Sequence, residues 1–265
     1  MKATVFLGGG RITSALVAGL RLAGYARPIV VHDRNARKLK DLKRDYGVET
    51  EADLRRAVNR ARLLVIAVRP DSVGGLLRDI GTGTIHRQLA VVSLAAGVPL
   101  SKLRAYLGAP IKWVRAMPSP VSRSGRGLTA LSFDRGFPSD SRAEVRELFS
   151  LVGAVVEVPE KQFDGFTVTF SSSNGYHALA ALIQAAEKIG LDRKTARMAA
   201  AHALVDGIAA WREGKSSLEE LLHEAATPGG TAAAVMYAMD RSGYQQTITR
   251  GLRAGMKQAA RNARG

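Results

Sequence analysis

A short apolar run from Lys2 to Leu7 breaks off at Gly8-Gly9-Gly10, and residues 12–22 then carry apolar side chains at helical spacing. A strand that turns through glycines into a helix cannot stand alone, because its flanks need further strands. The sequence offers them. Pro28 to His32, Leu63 to Val68, Leu89 to Leu94 and Ile111 to Val114 read as strands, followed by Leu128 to Phe133 and Ala154 to Val158. These strands are apolar on both faces and alternate with helices, the pattern of a parallel sheet covered on both sides. Asn35 opens a basic helix to about Tyr46. Ser141, with Glu144 three residues on, reads as the capping box of a helix ending near Leu151.

Beyond Pro159 the period changes. Helical spacing runs to the end, interrupted at residues 190–192, 214–216, 227–230 and 242–243. Ser217 and Glu220 form another capping box, and the alanine-rich stretch 197–210 implies close helix packing. The expected fold is therefore α/β, a doubly wound sheet over residues 1–158 followed by an all-helical domain over residues 159–265. At 265 residues and 46% apolar the chain can bury a substantial core. No apolar run approaches the ~20 residues of a membrane helix. The N-terminus leads straight into a strand, so neither a signal peptide nor a membrane partner is expected. Cysteine is absent, which excludes disulfides, thiolate metal sites and cysteine nucleophiles. A cytoplasmic location is expected.

A formal charge of +16 raises the question of a polyanionic partner. It concentrates at Arg34, Arg37, Lys38, Lys40, Lys43 and Arg44. A second group, Arg250, Arg253, Lys257, Arg261 and Arg264, shares one face of the last helix. Neither cluster has interleaved aromatic residues for base stacking, so solvated faces are expected and nucleic acid is not. The histidines at 32, 86, 177, 202 and 223 show no ligand spacing, and no metal site is expected.

Two turns carry chemistry. Gly8 allows the tight turn, and Gly10 lets a pyrophosphate approach the backbone at the N-terminus of the helix begun by Arg11 and Ile12. The third glycine position of that pattern is Thr13. At the end of the second strand an acid, Asp33, stands where ribose hydroxyls are usually met, but Arg34 and Asn35 follow. A guanidinium in a positive field favours a 2′-phosphate, so NADP is the expected cofactor, with NAD as the alternative. The second turn, Thr227-Pro228-Gly229-Gly230-Thr231, opens a helix and offers exposed amides to a small anion; a plain helix-to-helix turn is the other reading.

Six segments, 6–16 (FLGGGRITSAL), 65–70 (VIAVRP), 92–97 (VSLAAG), 115–118 (RAMP), 127–131 (GLTAL) and 227–231 (TPGGT), occur in the order found in pyrroline-5-carboxylate reductases, and the chain resembles that family over nearly its whole length. The resemblance implies an N-terminal Rossmann domain, a helical domain that interlocks with a partner in a homodimer, and hydride transfer to a cyclic imine. It places Val68, Arg69, Pro70 and Ala95 along the cofactor, with Arg69 replacing a usual lysine, and Ser119 near the nicotinamide. Thr227, Gly229, Gly230 and Asn174 would meet a small cyclic imino acid, whose carboxylate the Gly229–Thr231 amides would receive.

Several positions depart from the family pattern. Ser119 stands for an asparagine within Met-Pro-Asn-Thr-Pro. Residues 171–176 replace Ser-Gly-Ser-Gly-Pro-Ala-Tyr, and Ala232 replaces the threonine assigned as donor to the substrate nitrogen. Its neighbour Thr231 is the substitute donor. These changes fall on the substrate side and leave an alternative open, a nucleotide-binding paralogue without proline-forming activity that acts as a regulatory or interaction protein.

Overall fold

The computed structural model describes residues 2–81, 85, 89–108 and 110–264. The chain opens with β1 (Ala3–Leu7), α1 (Arg11–Leu22), β2 (Ile29–His32), α2 (Ala36–Tyr46), β3 (Glu49–Thr50) and α3 (Leu54–Asn59). It continues through β4 (Ala61–Ile66), α4 (Pro70–Ile80), β5 (Ala90–Ser93), α5 (Leu100–Leu107) and β6 (Trp113–Pro118). A 3-10 turn (Pro120–Ser124) leads to β7 (Gly127–Phe133), α6 (Ser139–Ser150) and β8 (Gly153–Glu157). Helices α7 (Glu160–Phe170), α8 (Ser172–Lys188), α9 (Arg193–Glu213), α10 (Leu218–Ala225), α11 (Thr231–Arg241) and α12 (Tyr244–Arg264) complete the chain.

The strands form one sheet in the order β3-β2-β1-β4-β5-β6-β7-β8. The order reverses direction between β1 and β4, and the crevice beyond the carboxyl ends of those two strands is where doubly wound sheets take ligands. Successive residues of each strand feed opposite layers. Phe6, Val31, Val65, Val92 and Val114 pack under α1 and α6. Val5, Leu7, Leu64, Ile66 and Trp113 pack under α4 and α5. Each such fully buried side chain stabilises the fold by roughly 1.5–3 kcal/mol relative to exposure.

Several expectations change. The sheet is parallel except for β6 and β7, which pair antiparallel with Met117 opposite Ala130. The segment joining them holds only the 3-10 turn, too short for the crossover that parallel neighbours require. The fourth strand ends at Ile66, two residues early, and the sixth runs on through Pro118. Ser141 and Glu144 make no capping box, because α6 starts at Ser139 with Pro138 at its cap. Glu144 instead accepts Arg27 at 3.0 Å and Arg62 at 2.7 Å, ion pairs that no local spacing announces. The Ser217–Glu220 box is present, and Asn35 caps α2.

By packing, the chain divides into two compact units: everything up to Thr169 together with the end of α12 from Gly255, and residues Phe170–Ala254. In the first, Arg115 of β6 is buried, donates to Glu160 Oε1 at 3.0 Å and to Asp164, and lies 4.3 Å over the Phe163 ring. The same Glu160 oxygen accepts the Leu100 amide at 3.0 Å, so one carboxylate joins β6, α5 and α7. In the second unit, Ala196, Ala200 and Ala233 are buried, whereas Tyr176, Val205, Ile208, Trp211 and Tyr237 are exposed.

Candidate active site

The glycine turn is built from backbone. Gly8 sits at φ +114°, and a Cβ there would lie 2.7 Å from the Ala67 carbonyl oxygen at the exit of β4, so only glycine fits. Its amide donates to the His32 carbonyl at 2.7 Å. Its own carbonyl accepts the buried Thr13 hydroxyl at 2.6 Å, so the residue in the third glycine position locks the turn with a hydrogen bond. Gly10 is the N-cap of α1, with no side chain capping it and nothing within 4 Å of a built Cβ. The first amides of α1 therefore face open space unpaired within the helix, beside exposed Arg11 and half-buried Ile12. A cradle lined by backbone donors and free of side chains fits a pyrophosphate.

Asp33 has partners that the sequence does not announce. Its carboxylate is folded into the turn, accepting the Gly9 amide at 2.7 Å, the Asn35 amide at 2.8 Å and Lys38 Nζ at 3.4 Å. Burial pushes its pKa up, but the Asn35 and Gly9 hydrogen bonds and the Lys38 charge outweigh that, and the net value lies below the ordinary 3.8. Asn35 Oδ1 accepts the amides of Arg37 and Lys38. Arg34 is exposed and, among the described residues, forms no ion pair, so its guanidinium stands free beside the turn.

The neighbouring strand ends complete this cluster. After β4, half-buried Val68 leads to exposed Arg69, the N-cap of α4, with Pro70 at its first position. Arg69 faces Asp71 at 3.7 Å in a largely solvated pair, worth little. After β5, Ala95 is buried and its amide donates to Ser93 Oγ at 3.3 Å. After β6, Ser119 is buried and its hydroxyl oxygen accepts the Val121 amide at 3.1 Å, capping the 3-10 turn. Asparagine and serine are comparable caps, so the exchange keeps the local fold while shortening the side chain's reach. This turn rests on the cofactor helix: a Cβ on Gly19 of α1 would collide with the Ser122 carbonyl. Arg123 donates to Tyr46 Oη at 2.9 Å and to Ser14 Oγ at 3.1 Å. The structure thus gathers residues 8, 10–12, 33–35, 68–70, 95 and 119 at the carboxyl ends of adjacent strands.

The remaining candidates belong to the helical unit. Thr227 accepts the Gly230 amide at 2.9 Å, with Pro228 and Gly229 between and Gly229 at φ +76°, the signature of a type II turn. Two details differ from expectation. Gly229 alone needs a glycine, since Gly230 is extended at φ −76° and ψ 151°. The Gly230 amide is already engaged by the Thr227 carbonyl, which leaves the Gly229 amide and the first amides of α11, at Thr231 and Ala232, for an anion. Thr231 is exposed. Asn174 is exposed in the first turn of α8, and the altered stretch is helical from Ser172.

His32 is buried with Nδ1 beside the Glu51 carbonyl, His202 meets Asp206, His177 and His223 lie in helices, and His86 lies outside the described residues. Among the described residues no cluster could hold a metal, and no helix is long and apolar enough to cross a membrane. The sequence assigns no role to Gly9, and it shows Thr13 only as a departure from the third glycine. The only sign of the locking hydrogen bond in the sequence is a hydroxyl residue, Thr13, one turn past the glycines.

A doubly wound sheet with an uncapped helix behind a side-chain-free turn, joined to a helical domain, defines a dinucleotide-dependent oxidoreductase. Residues 4–97 match the family model described as NADP oxidoreductase, coenzyme F420-dependent, and residues 160–262 match pyrroline-5-carboxylate reductase dimerisation. A pyrroline-5-carboxylate reductase of Corynebacterium melassecola is 30% identical over 261 residues, covering 96% of each chain. One from Synechocystis is 29% identical and covers 96% of this chain and 95% of its own. The solved pyrroline-5-carboxylate reductase of Coxiella burnetii superposes with a TM-score of 0.86 at 26% identity, over 99% of this chain and 98% of its own. The Plasmodium falciparum pyrroline carboxylate reductase, solved with NADP bound, gives 0.88 at 20% identity over 99% and 98%, a likeness of fold. The chain belongs to the pyrroline-5-carboxylate reductase family.

Proposed function

We propose that the protein reduces pyrroline-5-carboxylate, or a closely related cyclic imino acid, to the saturated amino acid with NADPH, residues 1–158 holding the cofactor and residues 159–265 the substrate and the partner copy. The observation that carries this reading is the open, uncapped N-terminus of α1 behind Gly10, next to the unpaired guanidinium of Arg34. The α1 amides receive the pyrophosphate and Arg34 the 2′-phosphate. The negative charge of Asp33 is engaged by the Gly9 and Asn35 amides and by Lys38. Val68, Arg69, Pro70 and Ala95 line the crevice beside it. When bound, the reduced nicotinamide supplies the hydride.

A protonated imine is already electrophilic, so the protein supplies position, an anion site and a proton donor. The type II turn holds the Thr231 and Ala232 amides toward the carboxylate, with Thr227 and Asn174 as further contacts. As hydride reaches the imine carbon, the C=N π pair becomes the nitrogen lone pair, and the nitrogen keeps the proton it already carries. Thr231 is the hydroxyl donor to that nitrogen, and Ser119 the catalytic hydroxyl on the nicotinamide side. Ser119 retains a free O–H because its bond to Val121 uses only the oxygen as acceptor. The exposed Tyr176, Val205, Ile208, Trp211 and Tyr237 support a homodimer in which a second copy covers them.

The test is turnover of pyrroline-5-carboxylate with NADPH, followed by loss of reduced-nicotinamide absorbance and by identification of proline. NADPH binding without turnover of any cyclic imino acid would refute it and leave a nucleotide-binding paralogue.

A further inference from the structure

The last turns of α12 press on the turn that leaves β5. Gly97 sits at φ +75°, and a Cβ there would lie 2.6 Å from the Ala259 carbonyl oxygen and 2.7 Å from its Cα. Backbone thus meets backbone, an approach that only small residues permit. Beside it, Asn262 Nδ2 donates to the Ala96 carbonyl at 3.0 Å. A carbonyl only accepts, so the amide nitrogen must face it. That leaves Asn262 Oδ1 to receive Gln258 Nε2 at 3.0 Å, which fixes the side chain one helical turn back. From the other side of the same turn, Lys102 of α5 donates to the Ala263 carbonyl at 2.8 Å and reaches that of Asn262 at 3.5 Å. A cation on the last carbonyls satisfies acceptors that a helix end leaves unpaired. Lower on the helix, Gly255 lets α12 approach Val168, where a Cβ would lie 2.9 Å from Cγ1.

A helix docked only for bulk would cover the β5 turn with apolar side chains. Here a side-chain amide is aimed at the one carbonyl between Ala95 and Gly97. The start of the turn is held on β4, where the Leu94 amide donates to the Ile66 carbonyl at 2.9 Å, but beyond it the internal bonds are long: the Ala95 amide reaches Ser93 Oγ at 3.3 Å and the Val98 amide reaches the Ala95 carbonyl at 3.4 Å. We propose that Asn262 is a positioning residue for the cofactor-side turn Leu94–Gly97, so that NADPH binds at full strength only while the end of α12 is latched. This rests on the reading that Ala95 lines the cofactor crevice.

The experiment compares NADPH dissociation constants and steady-state kinetics of the full chain with those of Asn262→Asp, Asn262→Ala and Lys102→Met. Asn262→Asp keeps shape and the acceptor for Gln258 but turns an acceptor toward the Ala96 carbonyl. Losing one hydrogen bond in Asn262→Ala should weaken NADPH about two- to tenfold. Asn262→Asp should exceed that, and Lys102→Met should shift in the same direction by less. KM for NADPH should rise in step, while KM for the imine and the melting temperature stay nearly constant. Lys102→Met and Asn262→Ala carry the test if Asn262→Asp does not fold. NADPH affinity unchanged in the folded variants, or a lowered melting temperature with unchanged affinity, would overturn the latch and leave a purely structural contact. A wild-type chain that does not bind NADPH would overturn the cofactor reading and the latch with it.

Discussion

Replacing Gly229 with alanine should damage imine reduction far more than the same change at Gly230. Gly229 is held at φ +76° in the turn opened by Pro228, whereas Gly230 is extended. A side chain in the left-handed region costs roughly 1–2 kcal/mol. If the turn must be formed for the α11 amides to receive the substrate carboxylate, that cost appears in kcat/KM as about a five- to thirtyfold loss. At Gly230 an added Cβ meets the Thr227 carbonyl oxygen at 3.0 Å, tight but relieved by a small shift, with no conformational strain. Gly230→Ala should stay within about threefold of wild type, helped by a less flexible unfolded chain. Gly229→Asn should fall between the two, because asparagine tolerates the left-handed region. The assay is kcat/KM for pyrroline-5-carboxylate at saturating NADPH, with NADPH affinity measured separately and expected unchanged. A Gly230→Ala loss equal to that of Gly229→Ala, or an asparagine no better than alanine at 229, would refute the reasoning.

Arg34→Ala should weaken NADPH about ten- to a hundredfold, the loss of a charge-assisted contact of roughly 1.5–3 kcal/mol, with far less effect on NADH, as parallel titrations of the two cofactors would report. Arg115→Met should destabilise the fold by about 3 kcal/mol, since it strands Glu160 and Asp164 without their buried cation, and should lower Tm by roughly 6–12 °C in a thermal melt. Asp33 has a folded pKa below its unfolded 3.8, so its contribution to stability is complete well above that value and is lost as pH falls through 3.8 toward the folded value. Denaturant titrations from pH 6 to 3 should therefore show wild type losing more stability than Asp33→Asn, and equal losses would remove the carboxylate's role in the glycine turn.

What was legible in the sequence is what neighbours along the chain decide. Strand, glycines and helix at residues 3–22, the Asn35 cap, the Ser217–Glu220 box and the Pro228-Gly229 turn each depend on a few adjacent residues, and each appears in the structure. The failures share the opposite character. Glu144 satisfies a local capping pattern and is taken instead by Arg27, 117 residues away. Asp33 carries the spacing of a ribose acceptor, and that spacing gives no sign of its bond to the Gly9 amide, brought over by the β1–β2 pairing. The reversal of β7 follows from the shortness of the preceding connection, a length visible only once both strand ends are known. The contact of Asn262 with Ala96 spans 166 residues and has no periodic signature at all.

The seating of the 3-10 turn on α1 has a consequence for anyone who would redesign this protein. Gly19 leaves the Ser122 carbonyl no room to move, and Arg123 ties the same corner to Ser14 and Tyr46. The stretch that presents Ser119 and the helix that presents amides to the dinucleotide are therefore one rigid body with two working edges. Substitutions at one edge will not combine independently with substitutions at the other, and libraries aimed at new imines should be screened with both cofactors from the first round.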